Sequence, residues 1–344
     1  MIKPFGLRHI WLVHQLQNHC AVVDFKSALL DEPVTPLRAA LHGHFLKSRL
    51  GAFTYVLEAP EHEKKLRGFA QARAHKSGLA WNLVCIAPVL DAQSIPARLQ
   101  AEEAATIWYR LLLHLCIAAG EHRAQRLFAW VPVDSPAEEV FRQAGFAVYC
   151  HEQLFCHLSA EVVMGKKSTR VTPLRQDHWF DVQKLYRRIT PRLVLQAEEL
   201  NHQRGNSSLC LSYFLDAEQG YVWYGHNGEI EGYLHIVSGP RGICLRLLTH
   251  PGASECAAEM LDHALAILNH NLSRPLYCTV RDFEENIRTV LEERGFALAN
   301  TYSLLVKHTT VRVKEPIRKL VPVLEKKAEI APTVSRSEAE QQVR

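Results

Sequence analysis

Few reactive side chains in this sequence stand at spacings that chemistry needs. His250 sits between Thr249 and Pro251, followed directly by Gly252, Ala253, Ser254 and Glu255. An imidazole at a turn into a helix could act as a general base, and the N–H groups of a helix start could receive an anion. Tyr149 and Tyr302 lie on the strands expected after Gly145-Phe146 and Gly295-Phe296 and could protonate a leaving group. Cys150-His151 and Cys156-His157 resemble metal-ligand pairs. On a strand, though, 150 and 156 point to one face and 151 and 157 to the other, so the four cannot close a tetrahedron. Cys85 and Cys244 sit in apolar runs and read as core thiols. Glu229 and Glu231 follow the turn signal Asn227-Gly228 and read as solvated charges. Glu198 and Glu199 end a helix, where their carboxylates could hold a charged amine. No Gly-x-Ser-x-Gly, phosphate-loop or dinucleotide fingerprint occurs.

The elements that would position these residues come twice. Residues 137–149 and 287–299 each read as a short helix, a Gly-Phe stop and a strand, with Val140, Gly145, Phe146 and Ala147 recurring as Val290, Gly295, Phe296 and Ala297. The glycine suits the left-handed backbone that ends a helix. Upstream, the pattern predicts a first strand over 8–16, helices over 20–30 and 36–46, and strands over 52–58, 67–74 and 79–89. A long helix over 101–119, a strand over 126–133 and a closing strand over 148–158 follow. The order then repeats: strand entry 169–174, helices 179–189 and 192–201, strands 220–226, 231–237 and 243–249, helix 255–268, strand 275–280, the second helix–Gly-Phe unit and strand 302–311. This predicts a mixed α/β sheet in two consecutive domains, 1–164 and 169–311, with a basic, disordered tail over 312–344.

Composition sets outer limits. The apolar fraction of 47% belongs to a folded chain. No apolar run reaches the roughly 18 residues of a membrane helix, and the N-terminus has no signal-peptide core. Nine scattered cysteines read as reduced thiols, so a cytoplasmic location is expected. Net charge is +4, of which residues 307–328 contribute seven Lys/Arg against two Glu. The remaining body is near neutral, which argues against nucleic acid as a partner.

This element order resembles the GNAT superfamily of N-acetyltransferases, here in tandem. The family's "V-x-P" strand end is similar to Ile86-Ala87-Pro88 and Thr249-His250-Pro251. Its "A-x-x-L-Y-x-x-x-G-F" helix end is similar to Ala137, Val140, Phe141, Gly145 and Phe146, and to Ile287, Val290, Leu291, Gly295 and Phe296. The resemblance implies an acyl-coenzyme A co-substrate, acetyl-CoA or another, and a small-molecule or peptide amine as acceptor. It places the better site in the second half. There the backbone of Leu248 and Thr249 would pair with the pantetheine arm, and Gly252, Ala253, Ser254 and Glu255 would receive the pyrophosphate. Catalytic candidates there are His250 and Tyr302. The family's glycine-rich loop is missing between Val89 and Ala105. Phe141 and Leu291 stand where relatives often carry a tyrosine. These departures keep a second expectation open, a non-catalytic protein of this fold that senses a ligand or binds a partner.

Overall fold

The computed structural model describes residues 1–32, 34–46, 52–58, 67–75, 78–90, 97–157, 165–198, 218–268 and 274–309. The first half runs β1 (Ile2–Pro4), α1 (Ile10–Leu16), β2 (Ala21–Val22), α2 (Phe25–Leu30), α3 (Pro36–Leu41), β3 (Phe53–Leu57), β4 (Gly68–Ala74), β5 (Ala80–Ala87), α4 (Ala97–Glu121), β6 (Arg126–Pro132), α5 (Pro136–Gln143) and β7 (Ala147–His157). The second runs β8 (Val171–Pro173), α6 (Trp179–Ile189), α7 (Arg192–Glu198), β9 (Glu218–Tyr224), β10 (Ile230–Ser238), β11 (Ile243–Thr249), α8 (Ser254–Leu268), β12 (Leu276–Arg281), α9 (Glu285–Glu293) and β13 (Ala297–His308). Apart from the two-residue β2, both halves follow one order: strand, helices, three antiparallel strands, helix, strand, helix, strand. The expected mixed α/β sheet, built from one element order used twice, is therefore the architecture observed.

Local chemistry explains most of these elements. In α4, Ala104, Ile107, Trp108, Leu111, Leu112, Leu115, Ala118 and Ala119 recur at helical spacing and are all buried against the sheet. In α8, Cys256, Ala257, Met260, Leu261, Ala264, Leu265 and Leu268 do the same. Ser135 caps α5 by accepting from the Glu138 N–H, with Pro136 at the first helical position. Gly145 and Gly295 end α5 and α9 with φ of +81° and +79°. Phe146 and Phe296 then turn back into the cores of their own halves.

Three expectations are corrected. Residues 8–16 do not form a strand. From Ile10 they form α1, whose Ile10, Val13 and Leu16 face one cluster with Phe5, Val56 and Phe69. The spacing of three outweighs the apparent alternation. Residues 20–30 do not form one helix, because 21–22 are a strand and α2 begins after Asp24, which caps it through the Ser27 N–H. Nor does β7 close the first half. The strands lie in the order β1-β3-β4-β5-β6-β13-β7-β12-β11-β10-β9-β8, a single sheet whose last strands are exchanged. Tyr302–His308 of β13 pair with Arg126–Pro132, and Glu152–His157 of β7 pair with Leu276–Arg281. β7 and β13 pair with each other at the centre.

Helices cover both faces of the sheet. One face carries α4 and α5, then α8 and α9. The other carries α1 and α3, then α2 and α7 across the centre, then α6. The central pair crosses over too. Leu30 of α2 packs on Val237 and Cys244 of the second half, while Val194 and Ala197 of α7 pack with Phe128 and Trp130 of the first. Met1–Val311 accordingly form one compact unit. The expected tail, 312–344, lies outside the described residues.

Candidate functional site

Each half contains one pair of neighbouring parallel strands, and each pair separates partway along. β5 and β6 are in register only over Ala80–Asn82 with Arg126–Phe128. β11 and β12 are in register over Ile243–Arg246 with Leu276–Thr279. Beyond these points the strand edges face a gap, where an extended ligand could add hydrogen bonds as another strand would.

In the first half the chain fills that gap itself. Ala21 and Val22 pair antiparallel with Ile86 and Cys85. β4 already occupies the other edge of β5 at these residues, with Ala70 opposite Ile86 and Gln71 opposite Cys85. β2 therefore lies on the edge that faces the gap. The contact extends on both sides. Val23 and Asp24 N–H groups donate to the Val84 carbonyl at 2.9 and 3.2 Å, and the Val89 N–H donates to the His19 carbonyl at 2.8 Å. A one-residue bulge at Val84 brings its carbonyl into this arrangement.

In the second half the two edges are treated differently. The β12 edge is capped by side chains. Arg246 donates from Nη1 to the Thr279 carbonyl at 3.1 Å and forms a two-armed pair with Glu284, both arms at 2.5 Å. Glu284 in turn accepts from the Arg281 N–H at 2.9 Å. Burial alone would lower the Arg246 pKa, but the Glu284 carboxylate outweighs it and holds the guanidinium above its ordinary value. The β11 edge has no such cap: among the described residues no strand pairs with Leu247–Thr249 on that side. Leu248 is buried, and Thr249 accepts from Asn286 Nδ2 at 2.8 Å.

The start of α8 follows at once. The Gly252 N–H donates to His250 Nδ1 at 3.2 Å, and the Ala253 N–H donates to the His250 carbonyl at 2.9 Å. As an acceptor, Nδ1 leaves the proton of the neutral ring on Nε2, so His250 presents a donor and not a lone pair at that nitrogen. Ala253 is buried, while Glu255 is exposed and pairs with Arg170 at 3.1 Å. Ser254 opens the helix. The sequence-predicted residues 248–255 are thus brought together at one strand-to-helix turn.

The other catalytic candidates sit elsewhere. Tyr302 lies on β13 and stacks on Phe25 with centroids 3.9 Å apart. Through the strand exchange it neighbours β6 of the first half. Tyr149 donates to Glu198 at 3.0 Å. Phe141 and Leu291 are both 0% exposed and fill the cores under their Gly-Phe turns.

Sequence reasoning missed a buried set of charges behind the second gap. Glu198 pairs with Arg281 at 2.7 Å and accepts from both Tyr149 and Tyr186. Lys26 lies 2.8 Å from Glu152. Lys26, Glu152 and Arg281 carry no local signal, and only the crossing of α2 and α7 brings them together with Glu198. Glu198 is therefore engaged within the core and not at a mouth for an amine.

One further cleft, of about 180 Å³, lies between α6 and the β9–β10 turn, beside His250. Asp181, Lys184 and Arg188 line it from α6, and Glu229 and Glu231 from the hairpin. His178 accepts the Arg175 N–H at Nδ1, so its Nε2–H donates to the Tyr224 hydroxyl at 3.1 Å. That leaves the Tyr224 proton available to the cleft. Among the described residues, no group of three or more His, Cys, Asp or Glu is placed to hold a metal ion. No helix among them is long and apolar enough to cross a membrane.

No protein-family model matches the chain, and no curated protein is recognisably similar in sequence. Solved structures do resemble it. A GCN5-related N-acetyltransferase from Sphaerobacter thermophilus is 13% identical, with 90% of this chain and 95% of that one covered at a TM-score of 0.49. A tandem GNAT protein from the clavulanic acid biosynthesis pathway is 11% identical, with 90% and 98% covered at 0.49. A GNAT-family acetyltransferase from Colwellia psychrerythraea is 10% identical, with 90% and 99% covered at 0.41. Likeness at this level adds no argument of its own.

Proposed function

We propose that the second half binds an acyl-coenzyme A and passes its acyl group to an amine, within two GNAT-like units divided at the 165–168 linker. The observation that supports this is the β11 edge at Leu247–Thr249, which no strand among the described residues pairs with on the β12 side, whereas the same edge of β5 is filled by Ala21–Val22. The backbone of Leu248 and Thr249 would hold the pantetheine arm. Gly252, Ala253, Ser254 and Glu255 would face the pyrophosphate, with Arg170 offsetting the charge of Glu255. Bound there, the thioester would supply an activated acyl carbon. The amine's lone pair would form the C–N bond as the C–S bond breaks, and the proton lost by nitrogen would leave on the thiol. His250 and Asn286, whose Nδ2 donates to Thr249 at 2.8 Å, stand at the end of β11.

Calorimetry and thermal unfolding with acetyl-CoA test the reading. Saturation of a folded-state site raises the melting temperature through linkage. Gly252→Asp should abolish the shift, and coloured-thiol detection should register coenzyme A release only with an amine present. No shift at millimolar acetyl-CoA would sink the proposal.

A second reading has its own support. Neither Phe141 nor Leu291 can donate a proton, and the Gly252 and Ala253 N–H groups are already bonded. A non-catalytic ligand-sensing or interaction protein would bind acetyl-CoA without releasing thiol to any amine.

A further inference from the structure

The cleft between α6 and the β9–β10 turn carries both signs of charge, with its Lys and Arg on one wall only. Asp181, Lys184 and Arg188 line it from α6, the last two one turn apart. The facing hairpin contributes only carboxylates, Glu229 and Glu231. Lys184 and Glu229 lie 3.7 Å apart and partly satisfy one another across the opening. Asp181 stands about two turns before Arg188 on α6, which leaves Arg188 as the remaining cation of one wall and Glu231 as the remaining carboxylate of the other. A lone cation would leave Arg188 without a ligand partner, and a lone anion would leave Glu231 without one. A ligand with two opposite charges would meet a partner at each end.

Position decides which end goes where. The Glu231 carbonyl accepts the His250 N–H at 2.8 Å, so Glu231 sits beside the end of β11. Its carboxylate also covers Gly225, where an added Cβ would come within 2.4 Å of Oε2. The close approach of that backbone fixes where the carboxylate can lie. Arg188 is on the far wall, towards the C-terminus of α6. Tyr224 and His250 also line the cleft. At about 180 Å³ the cleft is smaller than the roughly 300–1,000 Å³ of sites for drug-sized ligands.

We propose that this cleft binds a free α-amino acid or a similarly small zwitterion, with the ammonium towards Glu231 and the carboxylate towards Arg188. On the acyltransferase reading above this makes the acceptor an amino acid, its nitrogen held beside Thr249 and His250. The binding itself does not depend on that reading. A peptide N-terminus is disfavoured, because its carboxylate is replaced by an amide that Arg188 has no charge to pair with.

The test uses the full chain and calorimetric titration with glycine, glycinamide, propylamine and propionate, with and without saturating acetyl-CoA. Glycine should bind at least about tenfold more tightly than each single-charge compound, as loss of one charge-assisted partner implies. Arg188→Gln should remove the preference for glycine over glycinamide and leave acetyl-CoA binding unchanged. Glu231→Gln should weaken glycine and propylamine alike. Propylamine or glycinamide binding as tightly as glycine overturns the inference, as does an Arg188→Gln protein that still discriminates. Acetyl-CoA binding with no glycine binding also overturns it while leaving the proposed function standing. Glycine binding without acetyl-CoA binding supports the zwitterion site and sinks the acyltransferase.

Discussion

Ala21 lies opposite Ile86, and Val22 opposite Cys85, on the edge of β5 that faces away from β4. A two-residue strand thus holds the place that a ligand's extended arm would need in the first half. The consequence is a stoichiometry. Titration with acetyl-CoA should saturate at one equivalent per chain and not two. A second equivalent of comparable affinity would show that residues 19–24 leave β5 readily.

Arg281 and Glu198 form the central buried ion pair, 2.7 Å apart and each 4% exposed. Glu198→Gln keeps an acceptor for the Tyr149 and Tyr186 hydroxyls but strands the guanidinium. The loss should be about 3–5 kcal/mol, read as a shift of the urea midpoint. Adding Arg281→Met to that variant should recover part of the loss, since the uncompensated charge is then gone. If the double variant is less stable than Glu198→Gln alone, the pair is not the source of the cost.

Acid should unfold the protein through the same region. Burial would raise the pKa of Glu152, but Lys26, Arg281 and Arg246 outweigh it and hold the carboxyl below its usual value. For Glu198, burial is likewise outweighed, by Arg281 and the hydroxyls of Tyr186 and Tyr149. A depressed folded-state pKa contributes stability that is present above the ordinary carboxylate range and lost as pH falls through the folded value. The melting temperature should therefore hold down to about pH 5 and drop steeply below about pH 4. Glu152→Gln should flatten that drop; an unchanged slope would count against these carboxylates.

The exchange of final strands predicts the behaviour of fragments. Residues 1–164 alone would leave β6 without β13, and β7 without either neighbour. Exposed strand edges of that kind recruit a second chain. Light scattering coupled to chromatography should show a dimer or larger species. A stable, cooperatively folded monomer would mean that β7 can close on β6 without the second half.

Gly295 needs its backbone freedom but not its small size. With φ at +79°, an added Cβ would meet nothing closer than His157 at 3.6 Å. Gly295→Ala should cost about 1–2 kcal/mol from the left-handed backbone alone. A loss several times larger in thermal unfolding would point to a packing role not visible in these contacts.

Much of the fold could be read before the tertiary structure. Trp179–Ile189 and Ile243–Thr249 fall where periodicity places them, and the Gly-Phe turns mark both helix ends. These features depend on a few neighbouring residues. The failures have a different origin. Residues 8–16 alternate well enough to read as a strand. What decides for a helix is the cluster of Phe5, Val56 and Phe69 that Val13 must reach. The site shows the same division. Residues 248–255 come together because they are contiguous, whereas Lys26 and Glu152, or Glu198 and Arg281, are 126 and 83 residues apart.

The amino-acid order by itself determined the two repeated units, their helix ends and the strand-to-helix turn at His250, because each rests on periodicity or on one residue's backbone preference. Only the tertiary structure decided that β7 and β13 trade places, that Ala21–Val22 occupy the first gap, and that β11 parts from β12 beyond Arg246 in the second. Strand edges present the same backbone groups whatever the side chains. Which segment pairs with which edge is therefore settled by the packing of the whole molecule and not by local sequence.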